Sequence, residues 1–105
     1  MEKAWKVLET DYTLRAMKAL KEKDYLTVEY TTEYLVELQR LIKQNMNVEE
    51  LELEVLKLTV EIERISTLME SKDGAEWMEL YDFRGAKSNR RYLIKDALIR
   101  NKYSL

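Results

Sequence analysis

The chain of 105 residues has no cysteine, no histidine, no proline and only two glycines, Gly74 and Gly85. Without cysteine there are no disulfides and no thiolate metal sites, which fits a reducing compartment. Without histidine the commonest metal ligand and neutral-pH general base is missing, and most hydrolase, nuclease and zinc chemistries lose their usual catalyst. The shortage of proline and glycine removes the turn residues that an all-β chain requires. No apolar run approaches the length that spans a bilayer, and the start Met1-Glu2-Lys3-Ala4-Trp5-Lys6 is charged rather than signal-like. These absences predict a soluble, cytoplasmic, non-enzymatic protein with no cofactor, no metal site and no membrane partner.

The residues that are present favour helix, with Leu, Glu and Lys abundant. The clearest pattern is an apolar seam at Val48, Leu51, Val55, Leu58, Ile62, Ile65 and Met69, whose alternating steps of three and four are those of a helix packed lengthwise on another. A second row, Leu53, Leu56 and Val60 with Leu68, widens the stripe. Alternation over 51–55 and 58–62 could be read as strand, but Lys57 breaks that register while the seam runs on. At 1.5 Å per residue, a helix from Val48 to Ser71 would be about 36 Å long.

Caps place the remaining elements. A first helix is expected from about Glu2 to Lys23. A second is expected after Thr27 as N-cap, fraying near Asn45, and Asn47 caps the seam helix with Glu49 and Glu50 in its first turn. Asp73 and Glu76 have the spacing of a capping box for a short apolar helix. Gly85 fits the left-handed position after that helix, and Ser88 fits the cap of a last one. The expectation is an all-α, compact bundle of four to five helices around one long central heptad-patterned helix. It would form a single domain over 1–105, with an acidic helical body over 1–71 and a basic C-terminal helical hairpin over 72–105. Trp5, Tyr12, Tyr34, Trp77, Tyr81 and Phe83 fall on apolar stripes and are assigned to the core.

Charge is divided unevenly. After Phe83 there are seven basic residues and one acidic residue, Asp96, a net +6, whereas residues 1–83 carry a net −8. Such a split implies either an anionic partner for the tail or pairing of tail with body. Residues 75–101 have the order and size of a degenerate helix-turn-helix, with Lys87, Asn89, Arg90, Arg91 and Lys95 as candidate contacts to nucleic acid or another anionic partner. Three misfits weigh against that motif: Tyr81 where a small residue belongs, and Arg84 and Arg91 where apolar ones belong. Tyr92 and Tyr103, beside Arg91 and Arg100, suit an interface or base stacking. On the acidic body, Glu52, Glu54, Glu61 and Glu63 are candidate contacts to a basic partner. The seam residues Leu51, Val55, Leu58, Ile62 and Ile65 are the candidate self-association surface, predicting a homodimer.

One further spacing, Glu49-x-x-Glu52 followed by Glu79-x-x-Asp82, resembles the carboxylate pattern of the all-α MazG-like nucleotide pyrophosphohydrolases. That resemblance would imply Mg²⁺ held against a triphosphate by carboxylates on facing helices. A chain with 15 Glu produces such spacings readily by chance. The leading expectation is therefore a small regulatory or inhibitory protein that acts by binding a macromolecule, mainly another protein. The alternative is a DNA-binding regulator, and a metal-dependent hydrolase stands third.

Overall fold

The computed structural model of the chain describes residues 1–103. Four helices follow one another: α1 (Glu2–Lys21), α2 (Tyr25–Gln44), α3 (Val48–Met69) and α4 (Gly74–Tyr103). No strand occurs among the described residues.

The breaks between helices have local causes. α1 ends two residues before its expected limit because Lys23 takes a left-handed φ of 58°. Asp24, not Thr27, caps α2: its carboxylate accepts the Thr27 hydroxyl at 2.6 Å and the Thr27 N–H at 3.2 Å. Those two bonds hold the Asp24 carboxyl below its ordinary pKa. Asn45, at a left-handed φ of 49°, closes α2. Asn47 then opens α3 with a full capping box, its side chain accepting the Glu50 N–H at 2.8 Å while the Glu50 carboxylate accepts the Asn47 N–H. The capping box expected from Asp73 and Glu76 does not form. Lys72 pairs with the Glu76 carboxylate at 3.3 Å, and Asp73 contributes its carbonyl to the Trp77 N–H.

The largest departure from expectation is α4, which runs unbroken through Gly85. The turn and the hairpin expected over 72–105 are replaced, over the described residues, by a single 30-residue helix. The helix-turn-helix geometry sought over 75–101 is therefore absent. An interior glycine costs a helix only about 1 kcal/mol relative to alanine. Packing of α3 along α4 outweighs that cost.

α1 pairs with α2 and α3 pairs with α4, giving two helical hairpins. α4 is the element that approaches all three others, whereas the α3 backbone approaches α4 alone, so α4 rather than the seam helix holds the central position. One core joins the hairpins: Trp5, Leu8 and Tyr12 of α1, Leu38 and Leu41 of α2, Leu51 and Leu58 of α3, and Leu93, Ile94 and Ala97 of α4. The one buried polar side chain among the described residues, Thr31, donates its hydroxyl to the Thr27 carbonyl at 2.6 Å.

Of the seven seam residues, Leu51, Leu58, Ile65 and Met69 are buried, Val55 and Ile62 are half-buried, and Val48 at the start of α3 is exposed. The cover comes from within the chain, so of the candidate self-association residues Leu51, Leu58 and Ile65 are buried and unavailable, and Val55 and Ile62 are half-covered. The second row stays outside: Leu53 is 67 % and Leu56 65 % exposed. The molecule is a plate of 42 × 40 × 21 Å whose radius of gyration, 15.4 Å, exceeds the roughly 13 Å of a compact chain of this length. That open shape leaves apolar side chains uncovered. Tyr81 and Phe83, assigned to the core from their spacing, are among the exposed ones, because the core takes nothing from α4 before Leu93.

Candidate anion-binding cleft

α4 carries basic side chains all round, and the helix turns them toward different surroundings. Successive residues on a helix point about 100° apart, so Arg90 and Arg91 have separate environments. Arg90 faces inward. Its guanidinium donates to Glu37 of α2 at 2.8 Å, to Glu54 of α3 at 3.2 Å and to Gln44 of α2 at 2.6 Å, tying three helices together. Lys87 pairs with Glu61 of α3 at 2.5 Å. That hydrogen bond, with the Lys87 charge behind it, holds the Glu61 carboxyl below its ordinary pKa. Two of the candidate partner-contacting cations, Lys87 and Arg90, are thus satisfied by two of the candidate basic-partner contacts, Glu54 and Glu61. Glu52 and Glu63 stay exposed on the outer side of α3.

The rest of the basic set has a different fate. Among the described residues Arg91 donates only to the Thr59 hydroxyl, at 3.2 Å, and no carboxylate pairs with it. Lys95 is exposed and makes no ion pair among the described residues. These two, with Asn89, line an open cleft of about 740 Å³ along the C-terminal half of α4. Arg100 closes one end, held by Asp96 at 3.0 Å. Arg15 reaches in from α1, itself paired with Asp11 at 3.0 Å. Four cations and one carboxylate therefore line the cleft, on a chain whose formal net charge is −2.

Aromatic rings complete the wall. Tyr34 of α2 and Tyr92 of α4 both line the cleft, with ring centroids 6.2 Å apart. Tyr34 is backed by the buried Tyr12, stacked at 5.1 Å, and by Tyr30 edge-on at 5.6 Å. Burial, followed by the neighbouring rings, pushes the Tyr12 and Tyr34 hydroxyls above their ordinary pKa, so both stay protonated at neutral pH. Tyr92 stands 54 % exposed at the end of this row.

Asn89, Arg91 and Lys95 were foreseen from sequence, although for a different motif. Arg15 and Tyr34 were not, because they come from helices more than fifty residues away in the chain. Ion pairing of α4 with the body, one of the two explanations of the charge split, accounts for Lys87 and Arg90 and leaves Arg84, Arg91, Lys95 and Lys102 without a carboxylate among the described residues, of which Arg91 and Lys95 line the cleft. The carboxylates of the MazG-like spacing are not brought together. In the antiparallel α3–α4 hairpin, Glu49 and Glu52 lie at the start of α3, and Glu79 and Asp82 lie level with its end, roughly 20 Å away at 1.5 Å per residue. Among the described residues no group of three or more acidic side chains gathers in a metal-holding arrangement, and no helix is long and apolar enough to cross a membrane.

Comparison with protein-family models, curated proteins and solved structures returns no match for this chain.

Proposed function

We propose that the chain is a non-enzymatic regulatory or inhibitory protein that acts by binding an anionic macromolecule in the α4 cleft. The observation that carries this reading is the pair Arg91 and Lys95. They are two unneutralised cations one helical turn apart, beside Arg15, Arg100 and an exposed tyrosine. Lys87, Arg90 and Arg100 of the same helix are paired with carboxylates. Of the α4 cations without a carboxylate partner among the described residues, Arg84 is bonded to the Ser66 hydroxyl and Lys102 lies over the Tyr103 ring, both outside the cleft. Leaving Arg91 and Lys95 unpaired in a concave site keeps a positive field available to a ligand.

The net charge makes the test simple. A protein at −2 is retained by a polyanion only through a local positive patch. Heparin-agarose should hold the intact chain at low salt, and Lys95→Glu should elute markedly earlier. Lys72→Glu, in the connection that precedes the far end of α4, should elute close to the unchanged protein. Passage of the intact chain without retention refutes the reading, as does equal loss of retention from both substitutions.

A further inference from the structure

From the same cleft, and resting on the reading just given, we infer that the anionic partner is a single-stranded nucleic acid. Its phosphates would be held by Arg91 and Lys95, and one base would stack on Tyr92.

Three observations point to a single strand over other polyanions. The first is the position of the free cations. Arg91 and Lys95 are an i, i+4 pair, so their side chains leave one edge of α4 with about 5–6 Å between their Cβ atoms. Long side chains rising from adjacent turns can each hold a phosphate of one strand that follows the cleft. The second is the ring beside them. Tyr92 is half exposed, with Tyr34 at one side, ring centroids 6.2 Å apart, and a tyrosine ring has only two side-chain torsions to settle. A base can therefore stack on it at little cost in side-chain freedom, and stacking accepts any base because every base has a π-face. An acidic protein segment would use the cations and leave the ring idle. The third is the setting of α4. A helix that reads duplex DNA enters a major groove about 12 Å wide, which its own 10–12 Å diameter fills. Here Arg91, Tyr92 and Lys95 line a cleft walled on its other side by Arg15 and Tyr34 of the α1–α2 hairpin, so the candidate contacts are recessed rather than carried on a protruding helix face. The inward cations of α4, Lys87 and Arg90, are also spent on carboxylates. A flexible strand can follow a cleft that a duplex cannot enter. Asn89, at the cleft edge, offers an amide that can hydrogen-bond a base or phosphate.

The experiment is fluorescence anisotropy of the full chain with labelled oligo-dT, a labelled mixed-sequence duplex and labelled polyglutamate, each over a range of salt. Binding of oligo-dT in preference to both competitors is the expected result. The log affinity should fall linearly with log salt, with a slope of about −1.4 to −3 for two to four phosphates at roughly −0.7 each. Tyr92→Ala should weaken oligo-dT binding by about tenfold or more, in line with the loss of one stacked base. Tyr92→Phe should retain it, and Lys95→Gln should reduce the salt slope by about one phosphate. Lys95 is exposed and Tyr92→Phe keeps the ring against Tyr34, so unchanged melting curves are expected for those two variants, and Tyr92→Ala is compared at a temperature where its own melting curve shows it folded. Polyglutamate binding equal to oligo-dT, with Tyr92→Ala silent, overturns the nucleic-acid inference and leaves the anionic-partner reading standing. Preference for the duplex overturns the inference in the same way. No binding to any of the three overturns both.

Discussion

Removing the Arg90 guanidinium should destabilise the protein more than any other single loss of charge. The side chain is 16 % exposed, and the carboxylates it holds, Glu37 and Glu54, are 15 % and 22 % exposed. Arg90→Ala leaves two largely desolvated carboxylates facing each other across the junction of α2, α3 and α4, and it also strips the Gln44 side chain of its donor. Breaking a buried ion pair by deleting one partner costs roughly 3–5 kcal/mol, and these groups retain some water, so about 3 kcal/mol is expected. For a chain near 100 residues that lowers Tm by roughly 12–20 °C. Urea titration followed by circular dichroism reads it as a drop in midpoint with the slope unchanged. Arg90→Lys should recover part of the loss, since one ammonium cannot bond three partners on two helices in a planar fork. Arg40 still pairs with Glu37 at 3.1 Å, so Glu54 is the carboxylate left without a partner, and Arg90→Ala combined with Glu54→Gln should recover more because that charge goes with it. A loss below about 0.5 kcal/mol for Arg90→Ala, the level of an exposed pair, would refute the argument that this contact is desolvated and shared by three helices.

Three other perturbations follow from the same geometry. Gly85→Ala should raise Tm by roughly 4 °C, since Gly85 lies inside α4 with open space around its Cα and alanine lowers the entropy of the unfolded chain; a fall in Tm would restore the turn at this position. Asn47→Ala should cost about 1 kcal/mol through loss of the α3 capping box, measured by urea titration, with Asn47→Ser close to neutral. The Glu61–Lys87 bond should make stability depend on pH below the usual carboxylate range. Because folding lowers the Glu61 pKa, its contribution is complete above the ordinary value of 4.5 and disappears as pH falls through the lower folded value. Thermal melts of the unchanged protein and of Glu61→Gln should differ at pH 7 and converge toward pH 3, and a gap that persists unchanged at pH 3 would contradict the assignment.

Much of the fold was legible because helix formation and seam burial are written in local spacing. Asn47 and Glu50 meet as their separation of three predicts. Leu51, Leu58, Ile65 and Met69 are inside because a period near 3.5 puts them on one line. Where the reading failed, a local signal met a longer-range force. Gly85 looks like a helix end, but packing with α3 along α4 outweighs one glycine. Tyr81 and Phe83 lie on an apolar stripe, but a stripe does not say whether another helix reaches it. The cleft was only half visible for the same reason. Asn89, Arg91 and Lys95 are neighbours on one helix and could be named from sequence. Arg15 and Tyr34 join them through the docking angle of two hairpins, which no spacing within a helix encodes. Nor could sequence separate Arg90 from Arg91, since that distinction depends on where Glu37 and Glu54 lie.

The division into two hairpins also sets how the molecule opens. Packing within each hairpin joins segments close in sequence, whereas the contacts between hairpins are fewer and join distant ones, such as Arg90 to Glu37. Contacts of the second kind form late in folding and give way first in partial unfolding. Amide exchange should therefore show α1–α2 and α3–α4 as two cooperative units that part along the face of Leu38, Leu41, Leu93 and Ile94. The cleft spans that plane, with Arg15 and Tyr34 on one hairpin and Arg91, Tyr92 and Lys95 on the other. A ligand that grips both walls holds the hairpins shut. Its occupancy and the closure of the protein then become a single equilibrium, in which each added increment of bound ligand slows exchange at the core.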